Sequence, residues 1–258
     1  MESPSPLFCK QGFLREGEKN HPQITSLDAT HQIPLPFHLA FANDVYKVYL
    51  FCVRCIRMNR SSRLATQTKN TAVSILAAAR EILNVEGVDA VVMRAVAERV
   101  GITPMAIYRH YKDRADLLEA LADASFCEVA TQLQALRLNG NVGHQIKQVA
   151  DIFLRLALQS PNLYTLMFLV PRKGARSYPE DFRAGRSPTF NPAVTILQKA
   201  MATGELRTDD PVEIAFELSA LSHGLIMLYL GGRISKSKQQ FRKLHESSFK
   251  RYIDGLYP

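Results

Sequence analysis

The chain has 258 residues, 47% of them apolar, which gives room for one large or two ordinary domains and rules out a disordered or fibrous protein. Lys and Arg outnumber Asp and Glu by 32 to 24, a formal charge of +8 that suits a nucleic acid or another anionic surface.

Residues 1–57 carry Pro4, Pro6, Pro22, Pro34 and Pro36 among polar residues and hold no sustained helical stripe before about Phe37. They are expected to form a loosely structured leader, with Met58 a candidate start of the functional protein. From Lys47 to Arg80 there is no acid, while Lys47, Arg54, Arg57, Arg60, Arg63, Lys69 and Arg80 are cationic. That run is either a solvated tail or a basic arm.

From Thr71 the signal is helical. Ala72, Ile75, Leu76, Ala79, Ile82 and Leu83 recur at the three-and-four spacing of one helix face, and Gly87 ends the run. Met93, Val96, Ala97 and Val100 repeat the pattern before Gly101. Four later starts share a capping residue followed by proline: Thr103-Pro104, Ser160-Pro161, Asn191-Pro192 and Asp210-Pro211. Apolar stripes follow at Ile146, Val149, Ala150, Phe153, Leu156 and Ala157, and at Ala193, Ile196, Leu197, Ala200 and Met201. A loop rich in Arg, Gly and Pro lies at 170–188, and two long helices are expected over about 211–230 and 236–256. No strand pattern outcompetes helix, so the fold class is all-α.

The stretch GITPMAIYRHYKDRADLLEAL at 101–121 closes a pair of short helices, predicted over about 92–100 and 103–111, joined by a glycine-containing turn. This is the sequence form of a helix-turn-helix. Thr103 is placed to cap, Pro104 is preset for a first turn, and Ile102 is placed to pack on an inward Ile107 as a hydrophobic staple. Pro104, Met105, Ala106, Tyr108 and His110 are left outward or at the flanks, a surface that fits a major groove better than water.

VVMRAVAERVGITPMAIYRHYKDRADLLEAL, with the helix before it, resembles the DNA-binding domain of the tetracycline-repressor (TetR) family over about 68–121. The string that carries the likeness is Gly101-Ile102-Thr103, Ile107-Tyr108, His110-Tyr111-Lys112-Asp113-Arg114 and Leu117-Leu118. The resemblance implies an N-terminal three-helix helix-turn-helix domain over 58–121 and a helical effector-binding and dimerisation domain over 122–258. It implies that Arg94 reaches a guanine edge, that Met105 and Ala106 meet base edges or thymine methyls, and that Tyr108, His110, Lys112 and Arg114 hold phosphates. Thr103, Pro104 and Arg109 complete the expected DNA surface. The family usually has threonine where this chain has Val92, which cannot cap; Asp89 or the basic arm would have to compensate.

In the second half, SPNLYTLMF at 160–168 and LSALSHGLIMLYLGG at 218–232 are similar to a TetR subgroup with a Trp-His-Gly signature, read here as Ser222-His223-Gly224 in a chain without tryptophan. Such domains imply an effector pocket, with Phe153, Tyr164, Met167, Phe168, His223 and Met227 as candidates; most are equally readable as core, and a lone histidine such as His223 on an apolar helix is more often a hydrogen-bonded core residue than a ligand contact. Asp113 is expected to cap a long helix, with Asp116 reaching back. Leu221, Leu225, Leu228, Phe241, Leu244, Phe249 and Tyr252 would pair with a second copy as a four-helix interface.

Enzymatic readings are weak. Ser222 and His223 lie about 100° apart around a helix and cannot act on each other. The CxxC at Cys52 and Cys55 has no second CxxC, and only His31 and His38 lie nearby. Four cysteines make no disulfide scaffold, no glycine-rich phosphate loop of useful form appears, and no cofactor or metal is expected. No run approaches the roughly 20 uninterrupted apolar residues of a membrane span, and no secretion signal is read. The expectation is a cytoplasmic, dimeric, ligand-released repressor of a palindromic DNA operator. The runner-up is a helical small-molecule-binding protein or enzyme with a vestigial DNA-binding domain.

Overall fold

The computed structural model describes residues 63–258; the leader, the CxxC and the first part of the basic arm lie outside them. Among the described residues there are ten α-helices, one turn of 3-10 helix at Val88–Ala90, and no strand. In order they are α1 (Arg63–Glu86), α2 (Met93–Val100), α3 (Pro104–Ile107), α4 (Arg114–Gln134), α5 (Val142–Gln159), α6 (Pro161–Phe168), α7 (Glu180–Arg183), α8 (Asn191–Ala202), α9 (Pro211–Leu230) and α10 (Lys238–Asp254).

The apolar stripes read from the sequence are largely buried faces, although Phe153 and Leu156 of α5 and Ala193 and Met201 of α8 are only half-buried, and α5 also buries Ile152, Leu154 and Leu158. Ile75, Leu76, Ala79, Ile82 and Leu83 of α1 are buried, as are Met93, Val96 and Ala97 of α2 and Ile107 of α3, the core of a three-helix unit. Gly87 ends α1 with φ 91°, a value that only glycine adopts without strain. Gly101 closes α2 with φ 75°, its own N–H on the Glu98 carbonyl at 3.2 Å and the Ile102 N–H on Ala97 at 3.0 Å.

α4 runs unbroken through the expected domain boundary at Leu121 and so belongs to both halves. It packs on α1, α5 and α6, and α1 also packs on α6. Arg80 of α1 reaches Glu128 at 2.9 Å and Ser125 at 2.8 Å on α4. Asn162 of α6 donates to the Asn84 carbonyl of α1 at 3.3 Å.

Start signals and caps coincide less often than expected. Asp210 caps α9 through its carboxylate, accepting from Val212 and Glu213. Thr103 and Ser160 make no side-chain cap bond, and Asn191 is already inside α8, where its amide donates to the Gly185 carbonyl at 2.8 Å. In these three the proline, with its preset φ, begins the turn without a cap. Asp113 does cap α4, accepting from Asp116 N–H at 2.8 Å, and Asp116 in turn accepts from Lys112 N–H at 2.9 Å.

Among the described residues one helix, α9, is long and apolar enough to cross a membrane by length and composition. Its apolar residues divide between a buried side, Ile214, Ala215, Leu218 and Ile226, and a partly open side that includes Leu221, Leu225 and the exposed Leu228. Phe241 and Phe249 of α10, expected at a dimer face, are 0% and 5% exposed and belong to the core. Phe241 stacks on Tyr229 with centroids 4.1 Å apart, so the ring is used within its own chain.

Candidate nucleic-acid interface

α3 is shorter than predicted. Its α-helix covers Pro104–Ile107, and the next residues tighten, with His110 N–H on the Ile107 carbonyl at 2.8 Å. Tyr111 follows at 8% exposure, its hydroxyl reaching the Ala72 carbonyl at 3.4 Å, so that the end of α3 is tied to α1. Burial, and after it the nearby Asp116 charge, hold the Tyr111 phenol well above its ordinary pKa.

Ile107 is fully buried while Met105 is 70% and Tyr108 50% exposed. Thr103, Pro104 and Arg109 are exposed; Ala106 and His110 are half-buried at the flanks. Arg94 projects from α2 into solvent, and Lys112 is exposed beside α3. The structure thus gathers Arg94, Met105, Tyr108 and Arg109 near one helix pair with a large apolar group and an aromatic turned to water.

The cations here fall into two sets. Among the described residues Arg94, Arg109 and Lys112 make no ion pair, whereas Arg99 holds Glu81 at 3.2 Å. Arg114, expected on a phosphate, is engaged within the protein. Its Nε donates to the Val91 carbonyl at 2.8 Å and its Nη2 to the Val88 carbonyl at 2.6 Å, with Asp89 at 3.7 Å. Val92 is the N-cap of α2 in extended backbone, φ −115° and ψ 150°, and caps nothing. Asp89 gives no substitute cap: its carboxylate faces Arg114 and is otherwise in water.

In the second half four of the six expected pocket residues meet. The hydroxyl of Tyr164 is hydrogen bonded to Nδ1 of His223. Phe168 lies 4.6 Å from the His223 ring and 4.8 Å from Tyr164, and Phe153 closes the group 6.1 Å from Phe168. Met227 packs against the adjoining apolar cluster of Leu154, Ala157, Leu158, Tyr164, Ile226 and Phe241, while Met167 is buried outside it. Burial lowers the His223 pKa to about 4, so the ring is neutral at pH 7, and burial raises that of Tyr164. With the phenol neutral, its O–H donates to Nδ1.

Three partners were not foreseen. Phe126 of α4 stands edge-on to Phe168 at 5.3 Å. Arg172 lies over the Phe126 ring at 5.0 Å and bonds Glu119 at 3.1 Å and Asp123 at 3.0 Å. Ser222, discounted beside His223, meets Nε2 of His245 on α10 at 2.9 Å. Ser222 is 6% and His245 2% exposed, which makes the pair a buried tie between helices. None of these contacts leaves a periodic signal, since each joins residues at least 23 positions apart. Between α9 and α10 an open groove of about 530 Å³ is lined by Tyr229, Ile234, Lys236 and Gln240, and by none of the six expected pocket residues.

A chain of helices in which a short exposed helix follows a glycine turn, ahead of a larger helical domain, has the build of a helix-turn-helix regulator. The family model for bacterial regulatory proteins of the tetR family matches residues 75–121, and that for the tetracyclin repressor-like C-terminal domain matches 146–256. Together they take in more than half of the chain. The chain belongs to the tetR family of bacterial regulatory proteins, DNA-binding transcriptional regulators.

Among curated relatives it is similar to the tetracycline repressor protein class A from transposon 1721 of Escherichia coli. That match is 29% identical over 109 residues, 42% of this chain and 45% of that protein, and so spans under half of the repressor's length. The nucleoid occlusion factor SlmA of Marinobacter nauticus is 24% identical over 188 residues, 72% of this chain and 93% of that protein. Among solved structures, a protein of unknown function from Rhodococcus sp. RHA1 matches with TM-score 0.59 at 26% identity, over 73% of this chain and 96% of that one. A TetR-family transcriptional regulator from Pectobacterium atrosepticum shares the fold, with TM-score 0.57 at 16% identity over 76% of this chain and 98% of that one.

Proposed function

We propose that the protein is a cytoplasmic, dimeric repressor whose α2 and α3 dock on a palindromic DNA operator and whose second domain binds a small molecule that weakens this docking. The observation that carries the reading is the contrast on α3 between the buried Ile107 and the exposed Met105 and Tyr108, flanked by Arg94, Arg109 and Lys112, which are exposed and make no ion pair among the described residues. Arg94 reads a base edge, Met105 and Ala106 meet bases or thymine methyls, and Tyr108, His110 and Lys112 hold phosphates. Thr103 and Pro104 bring the start of α3 to the groove. The half-open apolar side of α9, with Leu221, Leu225 and Leu228, is the face for a second copy, joined by Leu244 and Tyr252 of α10.

The effector site in this reading is the group Phe153, Tyr164, Phe168, His223 and Met227, with Met167 behind it, and the likeness of Ser222-His223-Gly224 to the Trp-His-Gly subgroup belongs to the same reading. A ligand entering there favours whichever spacing of the two recognition helices binds it better, since equal affinity for both would shift nothing. Residues 1–57 are dispensable in this reading, so a chain starting at Met58 should bind the same duplex.

The test is to recover genomic DNA fragments on the purified full chain and sequence them. The expected result is one shared two-fold sequence with half-sites about 34 Å apart and binding that weakens steeply with salt. A recovered pool with no common sequence would overturn the reading.

A further inference from the structure

We infer that Arg114 is a positioning residue of the helix-turn-helix: its guanidinium fork holds the turn that leads into α2, a helix whose start has no side-chain cap. The inference rests on the DNA-binding reading for its consequence, though not for its geometry.

α2 begins with no help from its own residues. Val92 has no side-chain acceptor, no acid stands in the first turn, and the preceding 3-10 turn, Val88–Ala90, is likewise uncapped. A helix start with unsatisfied N–H groups frays, and Arg94 sits in that first turn. What fixes the entry is the other strand of contacts. Val91 is fully buried, and Arg114 grips the carbonyls of Val88 and Val91 with two adjacent donors, Nη2 at 2.6 Å and Nε at 2.8 Å. The Val88 carbonyl also accepts from the Val91 N–H at 3.2 Å, so the fork closes over the same turn.

Arg114 is itself held. It is the first residue of α4, directly after Asp113, whose carboxylate caps that helix. The fork therefore ties the capped start of α4 to the uncapped start of α2, between which the whole of α3 is suspended. A planar fork with two parallel donors matches two carbonyls; the single ammonium of lysine does not. A phosphate contact would be served by either cation, and the two roles therefore separate.

The experiment compares the full chain with Arg114→Gln and Arg114→Lys on the duplex recovered with the wild-type protein, over a range of salt. A positioning role lowers affinity about five- to ten-fold in both variants, as for a lost helix cap, and leaves the slope of log K against log salt unchanged. A slope shallower by about one unit in Arg114→Gln, or Arg114→Lys binding like the wild type, overturns the inference. Amide exchange in the DNA-free protein reads the same role without an operator. Exchange over residues 91–96 should quicken in both variants and slow again in Arg114→Gln combined with Val92→Thr, because the backbone of Val92 already has the extended form in which threonine caps. Unchanged exchange overturns the inference. If the wild-type chain retains no duplex, the functional reading fails while the exchange arm still decides the role of Arg114.

Discussion

Ile107 and Tyr108 are neighbours with opposite fates: one is sealed under α3 and the other holds half its surface in water next to Met105. A large apolar pair left outside costs solubility, so its place on the proposed docking face is the chemically economical explanation. Tyr108→Ala should abolish operator binding while shifting the thermal midpoint little, since half of the side chain is already in water and none of it lies in the core. Tyr108→Phe should recover the contact with the groove wall but not the phosphate bond. Arg94→Ala should cost about 1 to 3 kcal/mol and relax preference at one base pair. Competition titrations against single-base operator variants read both, and full affinity in either alanine variant would remove the residue from the interface.

At the scale of elements, periodicity located the helices well, because each stripe reports which side of a helix is buried. It could not say what the ends do. Three of four cap-and-proline signals begin a helix without a side-chain cap, and α3 tightens after Ile107 where a longer helix was expected. Nor does it separate a face buried within the chain from one left for a second copy, and Phe241 and Phe249 carry the same spacing as an interface although both are core. The long-range partners, Phe126 with Phe168 and Arg172 with Glu119, carry no local pattern at all. Yet Arg172 fixes the segment after α6 against α4: its side chain is 8% exposed, and Glu119 also accepts from the Gly174 N–H at 3.1 Å. Arg172→Lys keeps the charge but loses the planar group over Phe126. It should lower stability by about 1 to 2 kcal/mol, a fall of roughly 2 to 8 °C in Tm. A melt unchanged within 1 °C, a margin of about 0.3 kcal/mol on that scale, would show the contact to be idle. For α9, the proposed face for a second copy, Leu228→Glu should shift sedimentation to the monomer, as it would set an unpaired charge from each copy into an apolar contact. An intact dimer would place the second copy elsewhere.

Among the described residues of the molecule two imidazoles, the buried His245 and the largely covered His223, contribute to how it responds to acid. His223 is bonded to Tyr164 and His245 to Ser222, and each has its pKa lowered from 6.5 to about 4. Burial is the first cause for both; at His245 the Asp151 charge opposes it and Lys147 adds to it. The unfolded chain takes up both protons as pH falls through about 6.5, while the folded chain refuses them until about 4. Between those values the unfolded state binds more protons, so stability must fall as pH falls, and the contribution is fully present only above about 6.5. Each group should contribute on the order of 1 to 3 kcal/mol across the window. Thermal melts between pH 7.5 and 4.5 should therefore show a progressive loss of Tm. His245→Gln keeps a hydrogen-bonding partner for Ser222 and cannot titrate, so it should flatten part of that loss. A profile as steep as that of the wild type would mean that His245 charges freely in the folded protein, and that the tie between α9 and α10 is looser than its 2.9 Å bond implies.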